Sequence, residues 1–298
     1  MTSWPDSRSP SPKLRLSSRT GEPVNSPSSA GTPAAHSSIS DVQGDADTRR
    51  VAIDKVGITG LRHPISIRDR SDKVMATVAV SNLYVALPHH QRGTHMSRLI
   101  EIANQRDRIL SVASFRDLLS EVALRLDAAE SHVEMRFPFF LTRPAPVSGA
   151  LSSMNYEVSL TGGIERGKHR LRVGVSVPVT SLSPGSKASA SRAAQSHRTH
   201  VALTVEALEP VWIEELIELA ERHASSPLYA VLKRPDEKFV TEQAYDNPKF
   251  VEDIARDVAL GLSADRRVQA YLVEVESEQS GHNHAGFAAI SSPTWRPL

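Results

Sequence analysis

The 298-residue chain contains no cysteine. That absence removes disulfides, thiolate metal ligands and a cysteine nucleophile from consideration, whatever the compartment. No charge of one sign dominates: 35 basic against 34 acidic side chains leave a formal net charge of +1. No global field therefore recommends nucleic acid or an anionic membrane as a partner, and any anion site must be local. Long apolar runs are missing too. Nothing approaches the roughly 20 residues that cross a bilayer, and the N-terminus lacks the continuous apolar core of a secretory signal, so the expectation is a cytoplasmic protein. Also absent are a phosphate-cradling glycine loop, a dinucleotide-binding fingerprint and zinc-finger spacing. What is present is a 40% apolar content, enough for a substantial core in a chain long enough for two domains.

Residues 1–40 are crowded with serine and proline, as in Ser7-Arg8-Ser9-Pro10-Ser11-Pro12. Such a segment cannot bury enough apolar surface to offset its chain entropy and reads as a disordered tail. From Val51 the periodicity changes. Residues 74–87 read as a strand with residues 61–68 as a shorter partner, and helices follow at 96–104 and 114–126. In the second of these Phe115, Leu118, Leu119, Val122 and Leu126 recur at helical spacing. Strands at 132–141 and 156–164 come next.

The second half repeats that order. Leu171, Val173, Val175 and Val177 alternate with polar or small residues, as do Val201, Leu203 and Val205, predicting two half-buried strands. Ile213, Leu216, Ile217 and Ala220 form a helical stripe. Asn247 as N-cap and Pro248 at the first helical position predict another helix, and strands at 268–276 and 285–290 close the chain. Two strands, two helices and two strands, twice over, predict an α+β fold with antiparallel sheets and helices on one face. The modules would span 41–166 and 167–298.

Three separated segments carry chemistry-bearing residues: Ser181-Leu182-Ser183-Pro184-Gly185-Ser186-Lys187, Leu232-Lys233-Arg234-Pro235-Asp236-Glu237-Lys238, and His282-Asn283-His284. Glu237 and His282 are expected beside β-patterned segments rather than inside amphipathic helices. With Gly93-Thr94-His95-Met96-Ser97-Arg98, Ala145-Pro146-Val147-Ser148-Gly149 and Tyr245-Asp246-Asn247-Pro248-Lys249-Phe250, these segments resemble the prokaryotic type IB GTP cyclohydrolases from about residue 41 to residue 290. The resemblance implies a bimodular tunnelling fold, a homo-oligomer, a tetramer by similarity, with sites at subunit interfaces. It also implies hydrolytic opening of the guanine ring of GTP, releasing formate and giving 7,8-dihydroneopterin triphosphate for tetrahydrofolate or a related pterin.

Carried over position by position, the implied metal ligands are a cysteine, a histidine, a glutamate and a second histidine. The last two fall on Glu237 and His282. The cysteine falls on Ser183 and the first histidine, twelve residues later, on Gln195. His197 lies two residues beyond, and a small shift of the loop at 185–196 would bring it into that position. Hydroxyl and amide oxygens hold zinc poorly beside thiolate and imidazole, whereas manganese or magnesium tolerate an oxygen-rich set. The expected cofactor is thus a divalent metal: manganese, zinc or magnesium. Ser183, Glu237 and His282 are the catalytic candidates. Glu252 is expected to anchor the guanine edge, with Lys187 and Arg198 facing the triphosphate. The bland readings are turn chemistry for Ser183, the ordinary preference for acids in a first helical turn for Glu252, and solvated surface for the two bases. A second functional reading is a catalytically weak paralogue that binds a purine or pterin, or assembles with an active relative.

Overall fold

The computed structural model describes residue 43 and residues 45–105, 108–189, 194–278 and 283–296. The Ser/Pro-rich segment at 1–40 and His282 lie outside the described residues. The first half runs β1 (Ile53–Arg68), β2 (Val74–Leu87), α1 (Met96–Ala103), β3 (Ile109–Leu110), α2 (Phe115–Arg125), β4 (Ser131–Pro144) and β5 (Leu151–Glu165). The second runs β6 (Lys168–Leu182), α3 (Pro184–Ser189), β7 (Ser196–Ala207), α4 (Ile213–His223), β8 (Ser226–Pro227), α5 (Arg234–Asp246), α6 (Val251–Ala264), β9 (Val268–Glu278) and β10 (Ala285–Ser291). The strands join in one sheet of order β10-β9-β7-β6-β5-β4-β2-β1-β3, with β8 paired to β6 off that path. Every pairing is antiparallel except the short contact of β1 with β3.

Alternation explains the layers. Val175, Val177 and Val179 of β6, Val201 and Leu203 of β7, and Val273 and Val275 of β9 all turn to one face and are buried. Leu216, Ile217 and Ala220 of α4 and Ile254, Ala255 and Val258 of α6 cover that face. In the first half, Phe115, Leu119 and Val122 of α2 pack over Val133, Met135 and Leu160. Each such side chain contributes about 1.5–3 kcal/mol when fully buried. Among the described residues no helix is long and apolar enough to cross a membrane.

The expected α+β order is present, and residues 74–87 are a strand as predicted. Three local expectations are corrected. β1 begins eight residues before the predicted strand, because Gly57 and Gly60 interrupt the apolar alternation while the strand continues through two irregularities in register. A Cβ at Gly57 would lie 1.9 Å from the Leu83 carbonyl oxygen, and Gly60 has φ +68°, so both positions favour glycine. Asn247 is the C-cap of α5, not the N-cap of α6: its side-chain amide donates to the Ala224 carbonyl at 2.8 Å. α6 opens at Phe250, whose N–H donates to Asp253 at 3.0 Å. Finally, Glu237 sits inside a helix, in the first turn of α5.

The sequence signal for α5 was weak because the helix buries only Asp236 and Ala244. It is held instead by polar anchoring. Asp236 accepts hydrogen bonds from the backbone N–H groups of Val147 (2.8 Å), Ser148 (2.7 Å) and Lys233 (2.9 Å), and from the Ser148 hydroxyl (2.6 Å). Burial opposes its ionisation, but these donors outweigh burial and hold the carboxyl below the usual carboxylate range. A second clamp joins the halves: Arg143 at the end of β4 makes a two-pronged pair with Glu221 of α4, one prong at 2.7 Å, and the Tyr156 hydroxyl donates to Glu221 at 3.2 Å.

Candidate active site

Three neighbouring strands end in hydroxyls where their helix-facing sides run out of aliphatic residues. After Val177 and Val179 comes Ser181; before Val201 comes Thr199; after Val273 and Val275 comes Ser277. All three hydroxyls are buried and bonded to one another: Ser181 to Thr199 at 2.7 Å, Thr199 to Ser277 at 2.9 Å, and Ser181 to Ser277 at 3.3 Å. His197 is also buried and pairs in register with Ser181 across the β6–β7 ladder. Ser181, Ser277 and His197 line a cavity of about 430 Å³. Ser183, Gln195 and Glu252 stand on its wall with Phe250 and Phe287.

The turn after β6 is shaped by its own sequence. Pro184 sets the first helical position of α3, and the Ser183 hydroxyl caps it by accepting from the Ser186 N–H at 3.2 Å. The Ser183 N–H donates to the Gln195 carbonyl at 3.1 Å, and the Gln195 N–H donates to the Ser186 hydroxyl at 2.8 Å. This lacing brings the two ends of the loop together, with Ser183, Gln195 and His197 on one cavity. The opposite wall is the start of α6, where Lys249 N–H donates to the Leu182 carbonyl at 3.0 Å and Lys249 Nζ pairs with Asp257. Beside that pair, burial pushes the His223 imidazole below its ordinary value, with Asp257 opposing.

Not every candidate reaches this cavity. Lys187 turns to α5, where its ammonium donates to the Tyr245 carbonyl and lies 4.1 Å from the centre of the Tyr245 ring. Strand alternation sends Arg198 to the face opposite His197 and Thr199, where it pairs in register with Thr180 and Glu278. Glu237 is exposed, about 12 Å up the α5 axis from Tyr245. Phe250, Phe287 and the hydroxyl cluster were not singled out from sequence. The hydroxyls did leave a signal: a serine or threonine at an inward position of a strand otherwise carrying valine.

As a chemical surface the cavity offers hydroxyls, one imidazole, a carboxylate and two aromatic rings. That set suits a planar, hydrogen-bonding heterocycle. Residues 39–288 match the family described as type I GTP cyclohydrolase folE2. The chain belongs to that family. It is 49% identical to GTP cyclohydrolase FolE2 2 of Dechloromonas aromatica (strain RCB) over 262 residues, 88% of this chain and 97% of that one. It is 53% identical to GTP cyclohydrolase FolE2 of Methylococcus capsulatus over 252 residues, 85% and 94% of the two chains. Among solved structures, a highly active BTUO mutant aligns with a TM-score of 0.50 at 7% identity, over 80% of this chain and 99% of that one. Urate oxidase from Bacillus sp. TB-90 aligns with a TM-score of 0.48 at 7% identity, over the same shares. The first likeness bears on the fold alone, the tunnelling fold.

The side-chain donors on the strand-and-loop side of the cavity are mostly neutral oxygens. Ser183 contributes a hydroxyl already engaged as a cap, Gln195 an amide and His197 an imidazole. Among the described residues no three His, Asp or Glu side chains converge. Among the described residues these donors do not fit a zinc centre.

Proposed function

We propose that this chain is a GTP cyclohydrolase: water adds at C8 of the guanine, formate leaves, and the opened purine recyclises with the rearranged ribose to 7,8-dihydroneopterin triphosphate, feeding tetrahydrofolate or a related pterin. The observation that carries this reading is near-50% identity to FolE2 cyclohydrolases along almost their whole length. The cavity supports it. The Glu252 carboxylate has two oxygens to accept the guanine N1–H and the exocyclic amine, a pattern adenine does not present. His197 places an imidazole on the cavity, the side chain most often used for general acid–base work. Ser183 lies beside it.

Glu237 and His282 are proposed catalytic residues, and Lys187 and Arg198 proposed triphosphate contacts, acting in a site completed when copies assemble. Among the described residues both end strands of the sheet, β3 and β10, have a free edge through which copies of the chain would pair, and a tetramer built from 41–166 and 167–298 modules is the proposed assembly. A cytoplasmic location follows from GTP as substrate. Metal dependence is the family-wide expectation; manganese, zinc or magnesium is the choice to be read by assay.

The second reading, a binding paralogue without turnover, draws on the neutral donors at Ser183 and Gln195. One experiment separates the two. The purified full chain, stripped with chelator, is given GTP with Mn²⁺, Zn²⁺, Mg²⁺ or no addition, while formate and oxidised-pterin fluorescence are followed. Product that disappears in Glu252→Ala and Glu237→Ala establishes the cyclohydrolase. A folded chain that binds GTP and yields no formate under any of these conditions establishes the paralogue.

A further inference from the structure

A second cavity, of about 400 Å³, lies in the first half between the sheet and α1 and α2. Much of its wall is aliphatic, with Ile65, Leu83, Ile102, Leu110, Val133 and Met135, while Ser66, Asn104, Gln105 and Arg108 add polar groups. A buried imidazole stands among the aliphatic side chains. His63 is only 4% exposed, its Nε2 is hydrogen-bonded to the fully buried Ser81 hydroxyl at 2.9 Å, and its Nδ1 makes no hydrogen bond of good geometry among the described residues. An unmatched buried polar atom costs about 1–3 kcal/mol, and here it stands beside a space large enough to hold a molecule that would match it.

We propose that this cavity binds an uncharged aromatic alcohol, a phenol or naphthol, with its ring among the aliphatic walls and its hydroxyl on His63 Nδ1. The chemistry of the wall selects that class. If Ser81 donates to Nε2, then Nδ1 carries the proton and needs an acceptor; if Nε2–H donates to Ser81, then Nδ1 is bare and needs a donor. A hydroxyl serves either tautomer. A charged ligand is disfavoured, because the one ionic side chain on the wall among the described residues, Arg108, is already engaged by Glu121 and Gln105. Burial also pushes the His63 imidazole below its ordinary value, although backbone groups of Pro64 and Ala103 oppose this, which works against an ion pair at this ring. Exposed Ala76, Asn104 and Gln105 on the same wall mark the way in.

The test uses the full chain without GTP, so it stands apart from the reading of the first cavity. 2-Naphthol and naphthalene are titrated by calorimetry, and the His63 ring nitrogens are followed by NMR. The expected result is naphthol binding about five- to tenfold tighter than naphthalene, the worth of one neutral hydrogen bond, with a shift of the His63 nitrogen signals for naphthol alone. His63→Phe should erase the difference while leaving naphthalene binding in place, and His63→Gln should restore part of it. If His63→Phe does not fold, the nitrogen signals of the unaltered chain decide. Equal binding of the two compounds, no binding, or unmoved His63 signals would overturn the proposal and leave solvent as the cavity's occupant.

Discussion

Glu252 offers the sharpest test of the first cavity, because its proposed partner groups on guanine can be removed one at a time. Inosine triphosphate keeps the N1–H but lacks the exocyclic amine. A hydrogen bond to a charged acceptor is worth about 1.5–3 kcal/mol. Glu252 lies at the exposed start of α6, where solvent competes, so the lower figure applies. Near 1.5 kcal/mol, kcat/KM for GTP should exceed that for inosine triphosphate by about tenfold. Glu252→Ala should lose both bonds, a fall of about a hundredfold with GTP, and should treat the two nucleotides alike. The exposed position predicts little change in melting temperature. The assay is formate release at sub-saturating nucleotide. A Glu252→Ala chain that keeps the tenfold preference would refute the assignment, because some other group would then be reading the amine.

Further outcomes are expected elsewhere. Glu221→Gln leaves the largely buried Arg143 without its carboxylate; breaking such a pair costs about 3 kcal/mol, a drop of about 6–12 °C in Tm for a unit of this size, and calorimetry showing under 2 °C would mean that the clamp contributes little. Burial opposes ionisation of Glu206, but hydrogen bonds from Arg170 and Arg172 outweigh it and hold its carboxyl below the usual value. Its stabilisation is therefore present above the unfolded pKa and lost as pH falls through the lower folded one. Glu206→Gln should be less stable than the natural chain at pH 7, with the gap closing below about pH 4. Burial likewise lowers the His63 and His132 imidazoles, so the unfolded chain takes up these protons first and Tm should begin to fall as pH drops below about 6.5. Ser183→Cys with Gln195→His should raise retained zinc after gel filtration well above that of the natural chain, since thiolate and imidazole replace neutral oxygens; unchanged zinc would remove these positions from the site.

Some of this protein was legible one residue at a time. The alternation of Val173, Val175 and Val177, and the stripe of Leu216, Ile217 and Ala220, are local periodicities, and they predicted the strands and helices that carry them. Composition was equally direct: a chain without cysteine cannot present a thiolate anywhere. Where periodicity failed, another force held the element. α5 buries almost nothing apolar and depends on Asp236 collecting four donors, three of them from Val147 and Ser148, nearly ninety residues earlier in the chain. β1 hides its first half behind glycines that are needed because the Leu83 carbonyl passes so close.

For the site, it was the resemblance to the type IB cyclohydrolases, carried over position by position, that nominated Ser183, Gln195, His197 and Glu252. Only the tertiary structure could bring them onto one cavity, because the lacing of the 183–195 loop and the approach of α6 are long-range contacts. The same geometry sent Arg198 to the opposite face of the sheet and Lys187 to Tyr245. It also exposed the Ser181–Thr199–Ser277 cluster, three hydroxyls separated by up to 96 positions, which meet because strand pairing fixes register across the sheet while sequence distance does not.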